Sequence, residues 1–161
     1  VPYQIPRTKA DPAALVRADD DVLIVNSSGA ALRLHADALS LTETRLMKVT
    51  GKAEVIGAVH LRGDEQLICA TASGYAKRIH AADIPQATSP DADTVKLMSR
   101  ANTVSVCLYR PGAALWAITS KRALRLDAAA IPHLTPNSKT DHKLVKLRKG
   151  ERLITLATLT G

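Results

Sequence analysis

The feature that most constrains this chain is a segment written three times, at residues 22–39, 67–85 and 114–132. Each copy runs from an apolar stretch to a Ser, then to an Arg five residues on, then to Leu or Ile, His or Asp, and Ala. The anchoring pairs are Ser28 and Arg33, Ser73 and Arg78, and Ser120 and Arg125, with the arginines 45 and 47 residues apart. A period of this length marks stacked supersecondary units, each burying its apolar face against its neighbours.

Each copy reads as a β-hairpin, in which an apolar run enters, small polar residues turn the chain and an alternating run leaves. Gly29 and Gly74 sit at the turns, where positive φ would strain a residue with a side chain. The third copy has Lys121 there, so its turn must differ. Beyond the turn, Leu32 and Leu34 alternate with Arg33, and Leu124 and Leu126 with Arg125. That period of two puts each arginine on the face opposite the leucines.

A polar loop follows each hairpin (40–45, 86–94 and 133–142), and further strand-like segments close each unit (54–61, 103–109 and 152–159). Residues 36–39, 81–84 and 128–131 are rich in Ala and predict one helical turn each. The expected architecture is all-β: about three propeller-like units of four strands, over 21–66, 67–113 and 114–161, after an N-terminal segment or linker at 1–20. The charged turns at 62–65 and 148–151 fall at different places in their units.

The chain has 22 basic and 15 acidic residues, a net of +7. The excess is concentrated: residues 114–161 carry nine basic and three acidic residues, while 1–20, 21–65 and 66–113 sum to 0, −1 and +2. A focused positive field captures polyanions. Aromatic residues are few (Tyr3, Tyr75, Tyr109 and Trp116), so a stack of bases on aromatic platforms is not offered, and phosphate contacts to a duplex are expected instead.

No run approaches the roughly 18 apolar residues of a membrane helix, and the first residues lack the pattern of a secretory signal. Cys69 and Cys107 lie in apolar runs and read as buried thiols of a cytoplasmic protein. His35, His60, His80, His133 and His142 form no recognisable metal spacing, and no nucleophile–base motif is present. No cofactor is expected, and no catalysis by this chain alone.

On those residues the chain resembles the C-terminal domain of the A subunit of bacterial DNA gyrase and its topoisomerase IV counterpart. The phrases that carry the resemblance are residues 70–78 (ATASGYAKR), 115–120 (LWAITS) and 144–154 (LVKLRKGERLI). It extends over 21–160 and implies a β-pinwheel of four-stranded blades that bends double-stranded DNA around a basic rim, as a nucleoid-associated accessory to the rest of the topoisomerase A subunit. Two departures stand out. The family usually has five or six blades, so three units imply a fragment, a short topoisomerase IV-type domain, or half of a ring completed by a second copy. The loop at 85–93 also lacks the family's Gln-Arg-Arg-Gly-Gly-Lys-Gly-like box, which points to simple bending or capture of DNA rather than strong wrapping.

Three sets of residues are candidates for DNA contact. Arg33, Arg78 and Arg125 recur at one repeat position, where they either face phosphates or satisfy a turn or an adjacent blade. Lys77, Lys121 and Arg122 lie at or near turns, where side chains project. Lys139, Lys143, Lys146, Arg148 and Lys149 form the densest basic segment. The competing expectation is a propeller-like protein-interaction module whose basic face meets an acidic protein.

Overall fold

The structure is a computed structural model that describes residues 2–4, 15–17, 20–39 and 53–159. The loop at 40–45 and most of the N-terminal segment lie outside the described residues. A short antiparallel pair, β1 (Pro2–Gln4) and β2 (Leu15–Arg17), precedes the repeats. The first repeat contains β3 (Asp21–Asn26), β4 (Ala30–His35) and β5 (Val55–Leu61). The second contains β6 (Gln66–Thr71), β7 (Tyr75–His80), two short strands β8 (Gln86–Ala87) and β9 (Val95–Lys96), and β10 (Thr103–Tyr109). The third contains β11 (Ala114–Thr119), β12 (Ala123–Leu126), β13 (His142–Lys143) and β14 (Leu153–Leu159). Each Ala-rich stretch forms one turn of 3₁₀ helix, at Ala36–Ala38, Ala81–Asp83 and Ala128–Ala130.

Three sheets result, one per hairpin, with strand orders β5-β3-β4-β8, β10-β6-β7-β13 and β14-β11-β12; β9 also pairs with β4. We call them blades 1, 2 and 3. The closing strand of each repeat lies beside its own entering strand, so β5, β10 and β14 are the inner strands. The outer strand comes from elsewhere. β4 is covered by β8 and β9 of the second repeat, and β7 by β13 of the third, with a parallel bridge from Arg78 to His133. Blade 2 thus has the expected four strands, while blade 1 has five and blade 3 three among the described residues, and the outer strands of blades 1 and 2 are donated by the following repeat. β12 has no outer partner among the described residues.

This exchange explains the turn glycines. Gly29 and Gly74 have φ of +83° and +89°, a left-handed conformation costly to any residue with a Cβ. The next repeat also presses on them. The N–H of Leu97 donates to the Gly29 carbonyl, and those of Leu144 and Val145 to the Gly74 carbonyl. A Cβ on Gly74 would stand 2.6 Å from the Val145 carbonyl oxygen. No repeat presses on the third turn among the described residues, and that turn is one residue shorter. Four residues separate the paired Ile118 and Ala123, whereas five separate Val25 and Ala31. Lys121 thus escapes the left-handed conformation.

The shorter turn corrects the serine alignment. Ser120 is equivalent to Ser27, not to Ser28. Ser27 and Ser120 each accept, on the side-chain oxygen, the N–H that opens the inner-strand region, from Glu54 and Arg152. Ala72 takes the same place in the second repeat, its N–H donating to the Asn102 carbonyl just as Ser27 donates to Glu54 and Ser120 to Arg152.

The core lies between blades. β3 sends Leu23 and Val25 to one cluster, shared with Leu67, Cys69 and Ile79, and Val22 and Ile24 to another with Leu32 and Leu34. β6 sends Ile68 and Ala70 to a third cluster, shared with Leu115, Ala117 and Leu153. Both faces of β3 and β6 are therefore apolar and buried, which is why these runs read as continuous rather than alternating. β11 differs: Leu115 and Ala117 are buried, while Trp116 and Ile118 on the opposite face are partly exposed.

Candidate nucleic-acid interface

The recurring arginines are placed by their neighbours. Arg33 pairs with Asp21 at 2.7 Å and donates to the Ala81 and Ile84 carbonyls, around the 3₁₀ turn of the second repeat. It is a tie between blades 1 and 2. Arg78 lies over the Tyr109 ring at 4.8 Å, with Nε buried. Arg125 is exposed, because no following repeat covers it among the described residues. One repeat position thus gives one inter-repeat tie, one side chain stacked within its own repeat and one exposed cation.

Lys77 does not project from its turn. Its side chain is 0% exposed, packed beneath the loop of the third repeat. Nζ donates to the Ser138 carbonyl at 2.8 Å and the Pro136 carbonyl at 3.3 Å, and lies 3.6 Å from Asp141, which is equally buried. Burial pulls the Lys77 pKa down, and the Asp141 charge opposes that shift. The expectation of a projecting lysine is corrected: on a strand covered by an exchanged segment, Lys77 anchors that segment. Position near a turn could not reveal this, because the cover comes from about 60 residues downstream.

The third turn is built differently. Arg122 holds Glu151 through two bonds, Nε to Oε2 at 2.9 Å and Nη2 to Oε1 at 3.1 Å. Glu151 also accepts from the Arg148 N–H and the Thr119 hydroxyl. The Arg122 guanidinium, helped by those two donors, holds the Glu151 carboxyl down to about 2. Arg122 donates further to the Lys146 carbonyl, and Lys121 Nζ to the Lys149 carbonyl at 3.0 Å. Together they lash the basic segment to the hairpin.

The segment so held carries Lys139, Lys143, Lys146, Arg148 and Lys149, all exposed. Its two carboxylates, Asp141 and Glu151, are turned inward to Lys77 and Arg122. The outward face is left uncompensated. Sequence reasoning missed three cations that extend it. Arg100 stacks over Tyr75 at 3.6 Å and reaches Asp141, and Tyr75 pairs across the sheet with Lys143. Lys96 pairs with Ala30 at the blade 1 turn, and Arg152 adjoins Ser120 at the blade 3 turn. All three are exposed. The band Lys96, Arg100, Lys143, Lys139, Lys146, Lys149, Lys121 and Arg152 therefore follows the turn ends of three successive blades. Only the three-dimensional meeting of residues 96–100 with 139–143 joins it. Arg100 covers one face of the Tyr75 ring.

The other titratable groups lie apart from this band. His60 bonds to Asp20, His133 lies 3.5 Å from Asp83 and His80 3.7 Å from Asp64; the His80 and His133 rings meet edge-on at 4.1 Å. Sequence spacing had hidden these His–Asp pairs. No group of three or more His, Cys, Asp or Glu suited to a metal exists among the described residues. Burial pushes the Cys69 thiol to about 12 and that of Cys107 to about 11, so both stay protonated. No helix among the described residues is long and apolar enough to cross a membrane.

Comparisons with known proteins agree with this geometry. Residues 65–90 match the family described as DNA gyrase C-terminal domain, beta-propeller. No curated protein matches in sequence. Among solved structures, the C-terminal domain of a DNA topoisomerase IV is similar with a TM-score of 0.76 and 14% identity, over 96% of this chain and 53% of that one. The E. coli ParC C-terminal domain is similar with a TM-score of 0.70 and 19% identity, over 96% and 69%. The chain thus spans about half of the topoisomerase IV domain it matches. It is an all-β pinwheel with the fold of topoisomerase IV C-terminal domains, and its second repeat carries the sequence match to the DNA gyrase C-terminal family.

Proposed function

We propose that this chain is a DNA-binding accessory domain of a type IIA topoisomerase A subunit, gripping the duplex by phosphate contacts and bending it. The observation that carries this reading is the band of exposed cations along the turn ends of three blades, with its carboxylates turned inward. Such a surface attracts a polyanion and follows its backbone without reading bases. Lys139, Lys143, Lys146, Arg148 and Lys149 supply the centre of the grip, with Arg100, Lys96, Lys121 and Arg152 at its ends. Arg33 and Lys77 act inside the protein, and Arg122 holds the band in place. The test is titration of a fluorescent duplex at about 50 mM salt, where affinity in the micromolar range or better is typical of such contacts. No binding at that salt defeats the proposal. Equal affinity for an acidic protein partner would favour the interaction-module reading.

A further inference from the structure

Two parts of the basic band come from different repeats and cover different blades. Lys96, in β9, lies on the outer edge of blade 1, with Arg100 in the loop that follows. Lys143, in β13, lies on the outer edge of blade 2, with Lys139 in the loop that precedes it. One carboxylate joins the two loops. Asp141 Oδ2 accepts from the Ser99 hydroxyl at 2.8 Å and from the Arg100 backbone N–H at 3.2 Å. The Ser99 hydroxyl is shared with the Lys139 carbonyl at 3.2 Å, and Arg100 Nε lies 4.0 Å from the same Oδ2.

Packing does not call for a charge at this place. The register pairs Lys96 with Ala30 and Lys143 with Tyr75, one residue after each turn glycine, so Asp141 stands where the second repeat has Thr94. Lys77 likewise stands where the first repeat has Leu32, which is buried with apolar atoms alone. Replacing a buried ion pair by apolar residues of similar volume is often neutral or stabilising. Lys77, with Nζ 3.6 Å from Asp141, therefore explains how a carboxylate can be buried here, not why one is present. Asp141 Oδ1 makes no hydrogen bond. The work of the side chain is done by Oδ2, which closes one loop on the other.

That closure bears on a long polyanion. Cations on loops already ordered lose little further freedom when they meet phosphates, whereas cations on separate mobile loops must be ordered by the ligand. We propose that Asp141 is a positioning residue for the grip on DNA. It fixes Lys96 and Arg100 in line with Lys139 and Lys143, so that one duplex contacts the edges of blades 1 and 2 together; the assignment rests on the DNA-binding reading above.

The experiment compares two double variants of the 161-residue chain, Lys77→Met with Asp141→Asn and Lys77→Met with Asp141→Ala. Each removes one cation and one anion, so both keep the net charge of +7 and neither leaves a buried charge unpaired. They differ in whether an oxygen remains to accept from Ser99 and Arg100. Binding of a labelled duplex across a salt series should give the asparagine variant the wild-type slope. The alanine variant should be shallower by about 1.8, the share of two phosphates. Adding Lys96→Gln and Arg100→Gln should remove that same amount from the wild type and nothing further from the alanine variant, because coupled sites are not additive. Ser99→Ala takes away one donor without touching the buried pair, and should lose part of the slope at an unchanged urea midpoint. Circular dichroism checks that each variant is folded. The proposal is overturned if the alanine variant or Ser99→Ala keeps the wild-type slope, if the asparagine variant loses as much as the alanine one, or if the losses add in the combined variant. A wild type that binds no duplex defeats the DNA-binding reading itself, and the role of Asp141 with it.

Discussion

The sharpest consequence of the basic band is how its grip depends on salt. The side-chain ends of Lys139, Lys143, Lys146, Arg148 and Lys149 are exposed, and none enters a hydrogen bond or ion pair among the described residues, so each is free to neutralise a phosphate. Each neutralised phosphate contributes a slope of about −0.9 to log affinity against log salt. Five contacts give about −4.5, so raising salt from about 50 to about 200 mM weakens binding by roughly 500-fold. Replacing all five by Gln removes that slope while leaving Arg122, Glu151 and the fold of the turn untouched. A single Lys146→Gln removes about one unit. The assay is fluorescence anisotropy of a labelled duplex across a salt series, with the two variants beside the wild type. A wild-type slope shallower than about −2 would refute the reasoning, as would a fivefold variant that keeps the wild-type slope. Either result would mean that the cations are solvated and the duplex, if bound, lies elsewhere.

Further outcomes follow from the interior. Asp141→Ala leaves Lys77 buried without its counter-charge and should cost about 3–5 kcal/mol in urea unfolding. Because the folded pKa of Lys77 lies below its unfolded value, the folded state binds fewer protons there. Unfolding free energy should then rise with pH as the medium approaches 10.5, and Lys77→Met should flatten that rise. Glu151 acts with the same sign in the acid range: its folded pKa of about 2 lies below the ordinary 4.5, so its stabilising contribution is present above 4.5 and lost as pH falls towards 2. Glu151→Gln should flatten that acid limb of a thermal-melt series. Gly74→Ala must accept both a left-handed φ and a clash with the Val145 carbonyl, whereas Gly112, at φ +80°, has open space. The Gly74 variant should therefore lose clearly more than the 1–2 kcal/mol expected of Gly112→Ala in a denaturant titration.

The hairpins, inner strands and 3₁₀ turns were legible because their signals are local: alternation, a turn glycine, a run of alanines. The free Arg125 and the tied Arg33 could not be told apart, since they share a sequence context and differ only in whether a later repeat covers them. Lys77 was misread for the same reason. The serine spacing misled because the third turn is a residue shorter while the distance from serine to arginine is unchanged. The centre of the basic band was visible as a charged run, but its extension through Arg100 and Lys96 depends on two loops about 40 residues apart meeting over Tyr75 and Asp141.

The donated outer strand makes the blade and the repeat different objects. A cut after residue 113 keeps two complete sequence repeats yet strips β7 of His142 and Lys143 and exposes Lys77 with no carbonyl to hold it. Deleting or duplicating one repeat would leave its neighbours' edges to be matched by a loop selected for a different strand. Shortening or lengthening such an array is therefore tolerable only where the seam follows the exchanged strands rather than the period of the sequence. In the same way, a load on one blade must pull on the next before it can open anything.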